Sequence, residues 1–149
     1  MIDEFLAIDI FTKIHKNESK YAYAYGLNLD ESNNILLNFI ELKKSLDIYQ
    51  LIEDIKEDSS ALIWDAIAVT TQGWAAPLDS GKESETRPSE HPEKKRVLLM
   101  SIITSDNKIC SVIQMKDSLP LYDQSATGAL ADSLLTIYPK DKIFYENNN

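Results

Sequence analysis

Between Tyr21 and Leu29 large and small residues alternate without a break: Tyr21, Tyr23, Tyr25, Leu27 and Leu29 fall on one side, Ala22, Ala24, Gly26 and Asn28 on the other. A period of two is the signature of extended chain, whose successive side chains point to opposite faces. The segment is therefore predicted to be a strand, with its tyrosines packing on a core or across neighbouring strands. The same rings could instead offer an aromatic platform to a ligand. A rival reading continues the preceding helix through this segment and caps it at Gly26.

The flanking segments read as helical. Asp3 to Lys16 puts Phe5, Leu6, Ile10 and Ile14 near one face, with Asp3 and Glu4 at the positive end of the helix dipole. After the cap-rich stretch Asp30–Asn34, apolar residues recur at Ile35, Phe39, Leu42, Leu46 and Tyr49, spacings of four and three that describe an amphipathic stripe. Ile48, Leu51, Ile52 and Ile55 extend it. A single helix of that length would span about 36 Å, so a break at Ser45–Asp47 is expected, with Asp47 as cap and Gln50 three residues later. This 35–55 helical stripe packs on the core or mediates homo-oligomer formation.

The second half alternates again. Ala61 to Thr71 reads as a strand, Ile63, Ile67 and Val69 facing one way and Ala66 and Ala68 the other, where small residues let a helix sit close. Asp65 shares the apolar side by strict alternation, so it must lie at the sheet end, be exposed, or have a partner. Arg96 to Thr104 and Lys108 to Met115 are β-rich runs separated by Ser105-Asp106-Asn107, a hairpin turn because Asp and Asn tolerate positive φ. Ser125 to Tyr138 suggests a last helix with Ala129, Leu130, Leu134 and Ile137 inward, stopped by Pro139. Residues 140–149 form a polar tail.

These elements make a single α+β domain spanning residues 1–149. Its antiparallel sheet ends in a C-terminal hairpin and packs against helices in the order α-β-α(α)-β-β-β-α. No apolar run approaches the roughly 20 residues needed to cross a bilayer. The acidic start Met1-Ile2-Asp3-Glu4 lacks the pattern of a secretory signal, which points to a soluble, cytoplasmic protein. The lone Cys110, among Ile109, Val112 and Ile113, reads as a small buried hydrophobe. Fifteen bases against 24 acids give a net charge of −9, which opposes direct nucleic-acid binding unless a local basic patch overcomes it. Lys94-Lys95-Arg96 is the dense basic group.

The connection from Ala75 to Lys95 holds three of the five prolines and is long for a compact domain, the mark of a functional or mobile loop. Pro88 and Pro92 restrict the backbone around Ser89-Glu90-His91, so the side chains point in few directions. Trp74 could supply an apolar wall, Arg87 a bidentate grip on carboxylate or phosphate, and His91 a proton near neutral pH, with Glu90 and Arg96 beside them. The inward alternative pairs Arg87 with Asp65, Glu90 or Asp79, gives His91 to a backbone carbonyl, and uses Trp74 to staple the loop to the sheet. No catalytic set is visible: there is no Gly-rich phosphate loop and no Gly-x-Ser-x-Gly elbow. The two histidines, His15 and His91, with no Cys pair, offer no metal or cofactor motif.

The run Gly73-Trp74 through Arg87-Pro88-Ser89-Glu90-His91-Pro92-Glu93-Lys94-Lys95-Arg96-Val97 resembles small uncharacterised proteins carried by phages, plasmids and bacteria. That resemblance covers Asp65 to Val97 and extends through the hairpin to Gly128–Leu134. It implies a mobile-element or bacterial background and the same hairpin-plus-helix ending. Three functions are compatible with the chain. In the first, a non-enzymatic accessory factor docks a protein partner through the Trp74 to Arg96 region. In the second, an enzyme or sensor holds a small anion through Arg87 and His91, with Asp65 or Glu90 in proton transfer. The third is an acidic mimic of nucleic acid.

Overall fold

The computed structural model describes residues 2–16, 19–58, 62–75, 95–124 and 128–138. Six strands form one antiparallel sheet: β1 (Ala22–Leu29), β2 (Leu36–Ser45), β3 (Ala66–Ala75), β4 (Lys95–Thr104), β5 (Ile109–Met115) and β6 (Leu121–Asp123), in the order β2-β1-β3-β4-β5-β6. Among the described residues three helices complete the α+β fold: α1 (Glu4–Ile14), α2 (Ile48–Glu57) and α3 (Ala129–Leu134).

The alternation in β1 sorts the sheet into two cores. Tyr23, Tyr25, Leu27 and Leu29 meet Leu6, Ala7, Ile10, Phe11 and Ile14 of α1, together with Met100, Ile102, Cys110 and Val112. On the opposite face Ala22, Ala24, Ile67, Val69 and Ile103 meet Leu51, Ile52 and Ile55 of α2 and Leu134, Ile137 and Tyr138 around α3. Helices thus cover both sides of the sheet, and the rival helical reading of Tyr21–Leu29 is overturned.

Gly26 belongs to the small-residue face. A Cβ there would lie 2.6 Å from Trp64 Cγ and closer still to Cδ2 and Cε2, so the indole rests directly on the glycine backbone. Two hydrogen bonds to the main chain hold the Trp64 segment in place: Tyr138 Oη donates to Trp64 O at 2.9 Å, and Asp65 N to Leu27 O at 3.0 Å.

The largest departure from the sequence reading is residues 36–45, a strand where a helix is expected. Its pairing with β1 contains register shifts at Ala24/Tyr25 and Asn28/Leu29. Each such bulge resets which face the next residue occupies. Leu36, Phe39, Glu41 and Lys44 consequently share the α1 side, opposite Leu29, Leu27, Tyr25 and Tyr23, while Asn38, Ile40 and Lys43 lie opposite Asn28, Gly26 and Ala24. Two resets in ten residues erase the period of two and leave spacings that mimic a helix. No 35–55 helical stripe exists for a homo-oligomer to use.

The second helix begins at the expected cap, although a strand and not a helix precedes it. Asp47 N-caps α2, its Oδ1 accepting from Tyr49 N at 2.8 Å, but Gln50 turns outward and donates to Asp54 Oδ1 at 2.9 Å. Other corrections are local. Phe5 is exposed, because the buried stripe of α1 runs through Leu6, Ala7, Ile10, Phe11 and Ile14. Strand β3 starts at Ala66, leaving Ile63 in a short 3-10 turn and exposed. In α3, Ala131 replaces Ala129 on the buried side, since the helix starts only after Gly128, whose φ is 104°. A short β6 extends the hairpin. The β4–β5 turn is as expected, with Asn107 at φ 64° and its N–H donating to Thr104 O at 2.9 Å.

Candidate functional site

Strands β3 and β4 pair over ten residues, from Ala66 opposite Thr104 to Ala75 opposite Lys95, which sets Trp74 against Arg96 at the end where β3 leaves the sheet and β4 enters it. Arg96 is half-buried, and its carbonyl accepts from Lys116 N at 3.0 Å. Two of the five predicted site residues, Trp74 and Arg96, are brought together here. Arg87, Glu90 and His91 lie outside the described residues, as do the 76–94 portion of the long loop and the 140–149 tail.

Antiparallel pairing brings to this same end the start of β1, the end of β2 and the end of β5. The last turn of α1 also reaches it. His15 Nε2 stands 3.0 Å from Thr71 O, a contact that requires the proton on Nε2, and its ring tilts against Phe11 at 5.1 Å. Nδ1 is buried without a partner, and desolvation lowers the pKa of the imidazole from 6.5 despite the Thr71 bond. Gln72 Nε2 donates to Ser19 O, and Ser19 Oγ shares a 2.8 Å hydrogen bond with Tyr23 Oη.

Above this layer lysines and tyrosines interleave. Lys16 Nζ lies 4.1 Å from the Tyr23 ring centroid, while Lys44 and Lys20 lie 4.9 and 5.5 Å from that of Tyr21. Tyr21, Tyr23, Tyr25 and Phe39 form a continuous ring series with centroid spacings of 6.4, 6.4 and 6.2 Å. Lys16 also bridges Glu41 at 2.5 Å. That hydrogen bond to Glu41 is the main cause raising the Lys16 pKa, so the ammonium is held charged.

Six of the ten Lys and Arg residues among those described therefore collect at one end of the sheet: Lys16, Lys20, Lys44, Lys95, Arg96 and Lys116. The acids in the same stretches are Glu41, Asp47 and Asp117. Lys43 points to the other face, beside Asp54, Glu57 and Asp58. The opposite end carries Asp30, Glu31, Asp65 and Asp106 with Lys108. A chain of net charge −9 thus presents a basic rim. Sequence reading found only its Lys95-Arg96 part; Lys44 joins it through the pairing of β2 with β1, which the helical reading of 35–45 concealed, and Lys16 and Lys20 come from the segment leading into β1.

Asp65 is assigned to the fold. It is exposed at the far end of β3 from Trp74, its Oδ2 accepts from Leu29 N at 2.8 Å, and its carbonyl accepts from Ser105 N at 3.0 Å. Cys110 is 2% exposed, and burial pushes its thiol up to about 12, far from the range of a nucleophile. A cleft between α3 and the β4–β5 hairpin is bordered by Leu99, Ser101, Ser111, Ile113, Asp123 and Leu130, but the two serine hydroxyls bond each other at 2.8 Å. No described histidine borders that cleft. Among the described residues there is no group of three or more metal-ligating side chains, and no helix is long and apolar enough to cross a membrane.

Compared with protein-family models, with curated proteins and with solved structures, the chain matches none.

Proposed function

We propose that the protein is a non-enzymatic accessory factor that docks an acidic protein partner through the basic end of its sheet, with Trp74 and Arg96 at the centre of the contact. The observation that carries this reading is the separation of charge: six of the ten Lys and Arg among the described residues gather at one end of the sheet, in a chain whose total charge is −9. Such a separation orients an acidic partner during encounter and repels it elsewhere. The half-buried Tyr21, capped by Lys20 and Lys44, supplies a stiff contact surface at low entropic cost, and Trp and Arg are the residues that most often anchor interfaces. The resemblance of Gly73–Val97 to phage, plasmid and bacterial proteins supports a mobile-element role, exercised in the cytoplasm.

The test is affinity capture from the native host with mass spectrometry, comparing wild type with Trp74→Ala and with the charge reversal Lys20→Glu/Lys44→Glu. All three proteins should be equally folded by circular dichroism, and both variants should lose the captured protein. Equal capture by folded variants refutes the assignment. A second reading, a sensor or enzyme holding a small anion, is favoured by the convergence of Lys16, Lys20 and Lys44 on two tyrosines. Thermal-shift screening against nucleotides and phosphorylated metabolites separates the two, since only the sensor should gain stability from a small molecule and lose that gain in Lys20→Glu/Lys44→Glu.

A further inference from the structure

We infer that the protein forms a two-fold dimer in which β2 pairs antiparallel with β2 of a second copy, joining two six-stranded sheets into one. Strand β2 is ten residues long and stands last in the strand order, with β1 on one side only among the described residues. Among the described residues, six of the eleven exposed large hydrophobic ones gather around it: Ile35, Leu37, Phe39, Ile40, Leu46 and Tyr49. An exposed, apolar edge of this length is a template for pairing with another strand.

The bulges identify the occupant as a second copy. Opposite residues of an antiparallel pair must share a face, and the register with β1 places Leu36, Phe39, Glu41 and Lys44 on one face and Asn38, Ile40 and Lys43 on the other. Leu42 packs with the core beneath α2. A two-fold axis through Ile40 sets Ile40 against itself, Phe39 against Glu41, Asn38 against Leu42 and Leu36 against Lys44, and each of these pairs agrees in face, while Leu37, which the bulge leaves without a β1 partner, falls opposite Lys43. Moving the axis to Phe39 sets Leu36 against Leu42, which disagree; moving it to Glu41 sets Phe39 against Lys43, which also disagree. The strand is therefore self-complementary about one residue, as a closed two-fold interface requires. Charge agrees as well. Lys43 and Lys44 of each copy come to the end of the partner strand that follows the acidic turn Asp30–Glu31, the lysine pairs stay far apart, and Glu41 is already bridged by Lys16.

The seam shares Lys44 with the docking surface, so the inference is tested at Ile40, which lies outside the basic rim. Sedimentation equilibrium should give a mass twice the chain's 16.9 kDa. Ile40→Lys, at a site 52% exposed, should give a monomer with an unchanged far-UV spectrum. Ile40→Cys should crosslink to its counterpart under mild oxidation, since directly opposed Cα atoms in antiparallel strands are about 4.5–5.5 Å apart, within disulfide reach. Leu119→Cys, at a site 82% exposed and away from β2, serves as the control. A wild-type monomer at the highest soluble concentration overturns the inference, as does a dimer that survives Ile40→Lys or an Ile40→Cys crosslink no faster than that of Leu119→Cys. Binding of a different polypeptide to β2 by a chain that stays monomeric overturns it equally.

Discussion

Gly26→Ala probes the close approach of the Trp64 ring to the β1 backbone. Nothing about φ forbids alanine at this position, because Gly128 is the described glycine with positive φ. In a strand the change alone should help by about 0.5–1 kcal/mol through lower chain entropy. Space works against it. The new Cβ would sit 2.6 Å from Trp64 Cγ, whereas carbon atoms pack at about 3.5–4.0 Å, so the indole must retreat by about 1 Å or swing off the sheet. The backbone cannot slide to make room, being held by Tyr138 and Leu27. If the ring gives up about 100 Å² of its covered apolar surface, the loss is about 2.5 kcal/mol at 25 cal/mol per Å². The net destabilisation is then about 1.5–2 kcal/mol, or a fall in Tm of about 5 °C for a chain of this size. Urea and thermal unfolding followed by circular dichroism measure it, and the same substitution in a Trp64→Leu background should recover most of the loss. A Tm that rises in Gly26→Ala, or an equal fall in both backgrounds, would refute the close stacking.

Two further predictions use the buried titratable groups. His15 has its pKa lowered by desolvation, so the unfolded chain takes up a proton first; the imidazole's contribution to stability is present above pH 6.5 and is lost as pH falls below it. His15→Gln, whose amide can still donate to Thr71 O, should flatten the pH dependence of Tm between about pH 7 and 5, and an unchanged slope would remove His15 as the cause. Cys110, buried with its thiol pushed up to about 12, should react with a thiol reagent in native buffer only as fast as the protein unfolds, and labelling at the rate of an exposed cysteine would contradict the α1-side core.

Much of the fold is legible in the residues themselves. The alternation at Tyr21–Leu29 announces both the strand and its two unlike faces, Asp47 announces its cap, and Asp106-Asn107 the hairpin turn. Residues 36–45 defeat the same logic because their periodicity is set by bulges against β1, a property of the pair and not of either strand alone. The consequence for the candidate site is direct. Lys44 is distant in the chain from Lys16 and Lys20 and joins them in one charged rim only through that pairing, so composition and spacing could reveal no more than the short Lys94-Lys95-Arg96 cluster. His15 is similar: its contact with Thr71 spans 56 residues and leaves no local signature.

The ten-rung ladder between β3 and β4 has an implication for how this molecule could vary. It fixes the two stems of the intervening connection to each other, on the two central strands of the sheet. The entropic penalty for lengthening such a connection grows only logarithmically, by about 0.6 kcal/mol per doubling. A segment mounted on so firm a pair of posts can gain, lose or exchange residues while the platform beneath keeps its shape, which is the arrangement expected where recognition must diversify faster than architecture.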